Sequence, residues 1–290
     1  MDKRTLGRTD LQISRIGLGC ASFGNVNKAN DWDPWSDDGR RTAISTIHRA
    51  LDRGINYVDT APLYGNGHSE ALVGEVMKTR RSECVLATKV WYEGDRRATI
   101  DSVHASLKRL QTDYIDVVQL HGRMYSSTEQ EHILNGGALD GLRMLRESGK
   151  IGFIGITTEE PWSVMPFLAE PDISVFQIAY NLIYQAAARH FLIEAARAKA
   201  GVVTMRTMTS GVLPMVLRHL APEWAAARDP FEVSLRFVLS DSRVHAGLIG
   251  MRWPGEVDAN VALVEGWVPP VDIASLPRLT VDVYKAQDAG

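Results

Sequence analysis

Four residues of different chemical type close three consecutive apolar runs. Tyr57-Val58-Asp59 leads into a short turn that reaches Tyr64, Ala87-Thr88 ends in Lys89, and Val118-Gln119-Leu120 ends in His121. If those runs are neighbouring strands, a carboxylate, a phenol, an amine and an imidazole converge on one pocket. A phenol with an ordinary pKa near ~10 is a weak acid at neutral pH, and a neighbouring ammonium favours its ionised form. Lys89 supplies that charge if it stays protonated, and Asp59 is placed to keep it so. Tyr64 then donates a proton to a carbonyl oxygen as the oxygen gains negative charge, and His121 bonds and orients the same oxygen. No nucleophile comes with its own base, so acyl transfer is not indicated. A metal hydrolase would draw on Asp59, His68 and His121, but His68 opens a helix and reads as a capping or solvated residue.

The elements that must position these groups follow from periodicity. Short continuous apolar runs recur at Ile16–Gly19, Ile55–Asp59, Cys84–Lys89, Ile115–Leu120, Phe153–Thr157, Ser174–Ile178, Val202–Met205 and Ala246–Gly250. Such runs read as parallel strands buried on both faces. Helical stripes lie between them, among them Ile44, Ile47 and Leu51, then Val103, Leu107 and Leu110, then Phe231, Leu235 and Val238. The stripe from Trp162 to Leu168 is weaker and broken by Pro166. Eight strands alternating with eight helices predict a (β/α)8 TIM barrel, one domain over residues 1–290, with its chemistry at the C-terminal rim. A doubly wound sheet would need Gly or Ala at the third fingerprint position of the run Gly17-Leu18-Gly19-Cys20-Ala21-Ser22, followed directly by a helix; Ser22 stands there instead and no helical stripe follows directly. Arg4–Leu6 and Leu11–Ile13 flank a Gly7-Arg8-Thr9-Asp10 turn and predict a β-hairpin closing the bottom face. Segments 24–37, 121–136 and 207–229 are expected to be irregular loops on the active face. Trp32 and Trp35 either pack the first of these or line a substrate pocket. The tail from Gly266, with Pro269, Pro270 and Pro277, is expected to wrap irregularly.

Composition excludes several classes. The chain has 290 residues, 45% hydrophobic and 23% charged, with a net charge of −3, which is ordinary for a globular protein. Neither a nucleic-acid footprint nor a membrane-surface footprint appears, and no apolar stretch nears the ~20 residues of a bilayer span. The two cysteines, Cys20 and Cys84, fall in apolar runs. They fit a cytoplasmic location and offer no disulfide framework or Cys-built metal site.

The chain resembles the aldo-keto reductase superfamily along nearly its whole length. The resemblance rests on GINYVDTAPLYGNGHSE from Gly54 to Glu70, on Thr88-Lys89, on DYIDVVQLH from Asp113 to His121, on GKIGFIGIT from Gly149 to Thr157, and on Phe176-Gln177 with Tyr180-Asn181. It implies a (β/α)8 barrel with a nicotinamide cofactor extended across the C-terminal face, no metal, and Asp59, Tyr64, Lys89 and His121 as the catalytic tetrad. It also implies cofactor contacts. Gly19, Cys20 and Asp59 would lie near the nicotinamide ribose, Thr157, Thr158 and Gln177 at the carboxamide, and Met205 against the ring. Arg206, Met208, Ser210 and Gly211 would hold the pyrophosphate, with Arg252 and Asn260 at the adenosine end. Thr158 stands where the family has Asn, Thr207 where Pro is common, Glu256 where Arg or Gln is frequent, and Ala259 where Glu is common. Arg252 either contacts a 2′-phosphate or joins a surface ion pair, and NADP(H) is expected over NAD(H). The expected activity is carbonyl reduction of aldehydes, ketones or sugars, or the reverse oxidation, on a small-molecule substrate. The alternative is a nicotinamide-binding regulatory subunit with little turnover. Neither the physiological substrate nor the oligomeric state is legible.

Overall fold

The apolar runs become eight parallel strands of a closed barrel in a computed structural model that describes residues 1–265. A two-stranded hairpin comes first, β1 (Lys3–Thr5) and β2 (Gln12–Ser14). The barrel strands are β3 (Ile16–Gly19), β4 (Tyr57–Asp59), β5 (Val85–Trp91), β6 (Ile115–His121), β7 (Ile151–Thr158), β8 (Ile173–Ala179), β9 (Gly201–Met205) and β10 (Ala246–Gly250). Each pairs with the next, and β10 pairs with both β9 and β3, so no edge remains. A doubly wound sheet would be open. The expected proline-bearing tail lies outside the described residues.

The outer layer is α1 (Asp37–Asp52), α2 (His68–Arg80), α3 (Arg96–Leu110), α4 (Ser127–Leu134), α5 (Ala138–Glu147), α6 (Ala186–Arg189), α7 (Phe191–Arg197), α8 (Val212–Leu220), α9 (Pro222–Ala227), α10 (Pro230–Ser240) and α11 (Pro254–Glu265). Local chemistry sets their ends. Ser36 caps α1 by accepting from the Gly39 amide at 3.0 Å, and Asp95 caps α3 by accepting from Ala98 at 2.7 Å. Between β7 and β8 the connection is a 3₁₀ segment, Pro161–Ala169, which accommodates Pro166. Two of the three expected loops are corrected. Residues 121–136 carry α4, and 207–229 carry α8 and α9.

Two apolar cores result. Val85, Ala87, Val117, Val175, Val203, Ala246 and Leu248 fill the barrel interior, and a larger core lies between strands and helices. The hairpin contributes Leu6 and Ile13, both fully buried, to the interior core. Each hairpin strand sits one residue outward of the sequence expectation, and the turn still seals the bottom face. Closing one end with apolar side chains leaves the strand C-termini as the open mouth. No helix among the described residues is long and apolar enough to cross a membrane.

Candidate active site

Strand alternation builds a polar layer directly above the interior core. Asp59 follows Tyr57, Lys89 follows Ala87, Gln119 follows Val117 and Gln177 follows Val175, each two residues on and on the same side of its strand. Register sets Lys89 opposite Gln119 and Thr157 opposite Gln177. All four of these polar side chains are buried.

Lys89 and Asp59 form a bidentate pair, with Nζ at 2.8 and 2.7 Å from the carboxylate oxygens and 2.7 Å from the Thr60 carbonyl. Burial pushes the Asp59 carboxyl up, opposed by Lys89, Gln119 and Gln177. Burial works against the Lys89 ammonium too, but Asp59 and Tyr64 outweigh it, and its pKa rises. Lys89 therefore stays protonated, as the sequence requires. Gln119 Nε2 donates to Asp59 Oδ1 at 3.1 Å and to Gln177 Oε1 at 3.2 Å. Its Oε1 is buried without a hydrogen-bond partner, as is the Tyr57 hydroxyl.

Tyr64 stands on the turn after β4. Gly65, Asn66 and Gly67 take left-handed backbone (φ 62°, 51° and 90°), which folds the chain sharply into α2. Ser69 ties that helix start down, with its amide on the Tyr64 carbonyl at 3.2 Å and its hydroxyl on the Cys20 carbonyl at 2.8 Å. From the other side, a Cβ on Gly24 would lie 2.2 Å from the Tyr64 carbonyl carbon, and one on Gly65 would lie 2.8 Å from the Gly24 Cα. The two glycines let these turns pack backbone on backbone.

The Lys89 ammonium lies 4.8 Å from the centre of the Tyr64 ring, and the His121 ring meets Tyr64 edge-on at 6.1 Å. One expectation is corrected here. Burial raises the Tyr64 phenol above its ordinary value, and the opposing pull of Lys89 has the expected sign but is the smaller effect. The phenol is thereby held protonated, the form a proton donor needs. Burial and the positive charges of Lys89 and Arg123 push His121 down to about 3, so its imidazole is neutral at neutral pH. The side of the mouth nearest His121 carries Trp91, half-exposed, with its ring centre 6.4 Å away.

The expected cofactor residues divide into groups. Gly19 pairs with Gly250 on one side and Asp59 on the other, so Arg252, two residues past Gly250, leaves the rim one strand away from Asp59. Cys20 and Cys84 are buried, and burial drives both thiols upward, Cys84 to about 12. Neither is a reactive thiolate. Thr157 and Thr158 are buried and their hydroxyls are engaged. Thr157 bonds the Gly122 backbone, and Thr158 donates to the Arg123 carbonyl at 2.8 Å and the Glu160 carbonyl at 3.0 Å. These two hold loops together in this state. Met205 ends β9, half-buried.

After β9 the backbone is left-handed at Arg206, Thr209, Ser210 and Gly211 (φ 55°, 54°, 53° and 82°). Non-glycine residues in this region cost of order 1–3 kcal/mol each and gather at ligand sites. Arg206 pairs with Glu159 at 2.6 Å and approaches Ser210 Oγ at 3.4 Å. Met208 packs partly buried against the larger core. Beyond β10, the Glu256 carboxylate does not pair with the Arg252 guanidinium. It accepts from the Arg252 and Trp253 amides at 2.5 and 3.4 Å and so caps α11. Asn260 donates to the Glu256 carbonyl at 2.8 Å. The buried Arg252 Nε has no hydrogen-bond partner.

Trp32 is buried, donates to the Ser22 carbonyl at 2.7 Å and packs edge-on to Trp253, so it belongs to the loop core. Trp35 is exposed and stacks on His68 at 3.8 Å. His68 meets the Pro34 carbonyl at 2.9 Å, which leaves it away from any metal-like cluster among the described residues. Sequence reasoning assigned no role to Gln119 or Glu159. A lone Gln inside the apolar run Val117–Leu120, in phase with His121, was the available signal for the first. Glu159 had none.

The family model described as the aldo/keto reductase family matches residues 15–216. Over 193 residues the chain is 34% identical to the uncharacterized oxidoreductase YqkF of Bacillus subtilis, covering 63% of this chain and 57% of that protein. Over 207 residues it is 31% identical to the NADH-specific methylglyoxal reductase of Escherichia coli, covering 64% of this chain and 61% of that one. The chain thus spans somewhat over half the length of the curated relatives it first matches. Among solved structures it is similar to the holo form of aldo-keto reductase AKR11C1 from Bacillus halodurans, with 27% identity, a TM-score of 0.76 and 93% of each chain covered. The closed barrel and the family match agree, and the chain belongs to the aldo/keto reductase family.

Proposed function

We propose that this chain is a single-domain, NADP(H)-dependent oxidoreductase. It reduces the carbonyl of a small aldehyde, ketone or sugar to an alcohol, or runs the reverse oxidation. The observation that carries this reading is the meeting of the Asp59-paired Lys89 ammonium with the Tyr64 ring at 4.8 Å, beside a neutral His121. When bound, the nicotinamide supplies or accepts the hydride.

The chain's own groups manage the proton. The Tyr64 phenol, kept protonated by burial, donates to the carbonyl oxygen as that oxygen gains charge, and takes the proton back in the oxidation. The Lys89 ammonium, buried and fixed by Asp59, stabilises the phenolate left behind. Neutral His121 bonds the same oxygen through a ring nitrogen and fixes its angle.

The residues present fit a phosphorylated dinucleotide. The orphaned Arg252 Nε marks a guanidinium with unused donors, suited to a charge-assisted grip on a 2′-phosphate. Glu256 is committed to the α11 cap and does not tie up the Arg252 guanidinium, although its charge stays nearby. Arg206, Met208, Ser210 and Gly211 would hold the pyrophosphate, which both nicotinamide dinucleotides share. Asn260, Met205, Gly19, Cys20, Thr157 and Thr158 frame the remainder, and Gln177 binds the carboxamide. One relative is NADH-specific by name, so preference within the family rests on individual residues such as Arg252. NADPH-dependent turnover of an aldehyde panel tests the activity. Binding of NADPH without turnover would favour a regulatory role.

A further inference from the structure

Gln119 is fully buried between two groups that the reading above assigns to different tasks. Its Nε2 donates both to Asp59, the partner of the proton-handling lysine, and to Gln177, the cofactor amide. The reach is made possible by β7. Gln119 on β6 and Gln177 on β8 are separated by Gly155, and a Cβ there would lie 3.0 Å from Gln119 Cγ and 2.8 Å from the Val175 carbonyl. Glycine leaves the gap across which the side chain passes.

Chemistry fixes the orientation of the amide. Both facing atoms, Asp59 Oδ1 and Gln177 Oε1, are acceptors, so only the nitrogen end of Gln119 can meet them. The opposite end, Oε1, is left buried and without a partner. An unsatisfied buried acceptor is destabilising. Leucine or methionine would fill the same space without an orphaned oxygen, but would take a donor from both Asp59 and Gln177.

We propose that Gln119 is a positioning residue that sets the Asp59 carboxylate and the Gln177 side chain relative to one another through a single nitrogen. It rests on the function proposed above and extends it. The amide that orients the cofactor and the carboxylate that holds the lysine then share one donor.

The test is Gln119→Met, which keeps length and removes both bonds. NADPH affinity, read by quenching of tryptophan fluorescence, should fall about three- to tenfold, the scale of one lost hydrogen bond. The acid limb of kcat/KM should move to higher pH, because Asp59 loses a donor that favours its ionised form. The affinity loss should vanish in a Gln177→Ala background, where the amide it positions is gone. A purely structural role would lower Tm but leave the pH limb in place and the affinity loss additive with Gln177→Ala. That result, or unchanged NADPH affinity in Gln119→Met, overturns the proposal. Gln119→Glu guards against a packing artefact. Its protonated carboxyl offers one O–H, to Asp59 or to Gln177 but not to both, so NADPH affinity should recover in part as pH falls, and a flat response counts against the proposal. If Gln177→Ala alone leaves NADPH affinity unchanged, the underlying assignment of Gln177 has failed instead, and the coupling with it.

Discussion

Glu159 holds Arg206 in a 2.6 Å ion pair that joins the end of β7 to the turn after β9, over the intervening β8. The guanidinium proposed to meet a pyrophosphate is therefore already engaged by a carboxylate. Glu159→Gln should release it and tighten both NADPH and NADH, since the pyrophosphate is common to both. An ion pair at this exposure is worth roughly 0.2–1 kcal/mol, so the gain should be at most about fivefold. Fluorescence titration with each dinucleotide checks it. Weaker binding of both would mean that Glu159 braces Arg206 for the ligand.

Tyr64→Phe should lower kcat by about two orders of magnitude or more while leaving the NADPH Kd almost unchanged, because it deletes the acid and keeps the ring. Steady-state kinetics with a fluorescence titration alongside separate the two quantities. Lys89→Met should also abolish turnover, but it strands a buried carboxylate and should destabilise the fold by about 3–5 kcal/mol. The double variant Asp59→Asn with Lys89→Met should regain most of that stability in thermal melts and none of the activity.

The lowered His121 fixes a pH response. Above the ordinary value of 6.5 the imidazole is neutral in the folded and unfolded chain alike and contributes no slope. Between 6.5 and about 3 the unfolded chain binds a proton that the folded one refuses. Stability therefore falls on acidification through that window, by ~1.4 kcal/mol per pH unit for one such proton. His121→Asn should remove this share and move the acid-unfolding midpoint to lower pH. For the wild type, kcat/KM should show no limb near 6.5 from this residue.

Arg252→Ala should weaken NADPH by about 10- to 150-fold, the loss of one charge-assisted bond, and spare NADH. Glu256→Ala should leave the ratio of the two affinities unchanged and lower stability by about 1 kcal/mol, as expected for a lost helix cap. Titrating both cofactors against both variants decides it. Equal NADPH and NADH losses in Arg252→Ala would show that the residue does not read the phosphate.

The strands and the rim positions of the polar residues that end them were legible because a buried parallel strand announces itself as an apolar run and its last polar residue marks the rim. Asp59, Lys89 and His121 are all of this kind. The helices inside the active-face segments were not, for two different reasons. In 207–229 no helical stripe was read, yet Pro222 opens a helix and Pro214 sits in the first turn of α8, where no amide hydrogen is needed. In 121–136 the signal was present and unused: Ser126 and Glu129 form a capping box at the start of α4. Long-range pairings such as Glu159 with Arg206 leave no local pattern, since they depend on which strand ends become neighbours across the mouth. The sign of Lys89's pull on Tyr64 was readable from residue type. Its defeat by burial was not, because burial is a property of the assembled fold.

The back-to-back contact of Gly24 and Gly65 makes the segment after β3 and the turn that carries Tyr64 mechanically one part. Variation that adapts the segment to a new molecule can begin at Asn25, but not one position earlier. Any side chain at 24 would displace the Tyr64 main chain, so a graft of this segment from a relative must keep glycine there to leave the phenol where it stands. Laboratory diversification of the mouth should therefore hold both glycines fixed.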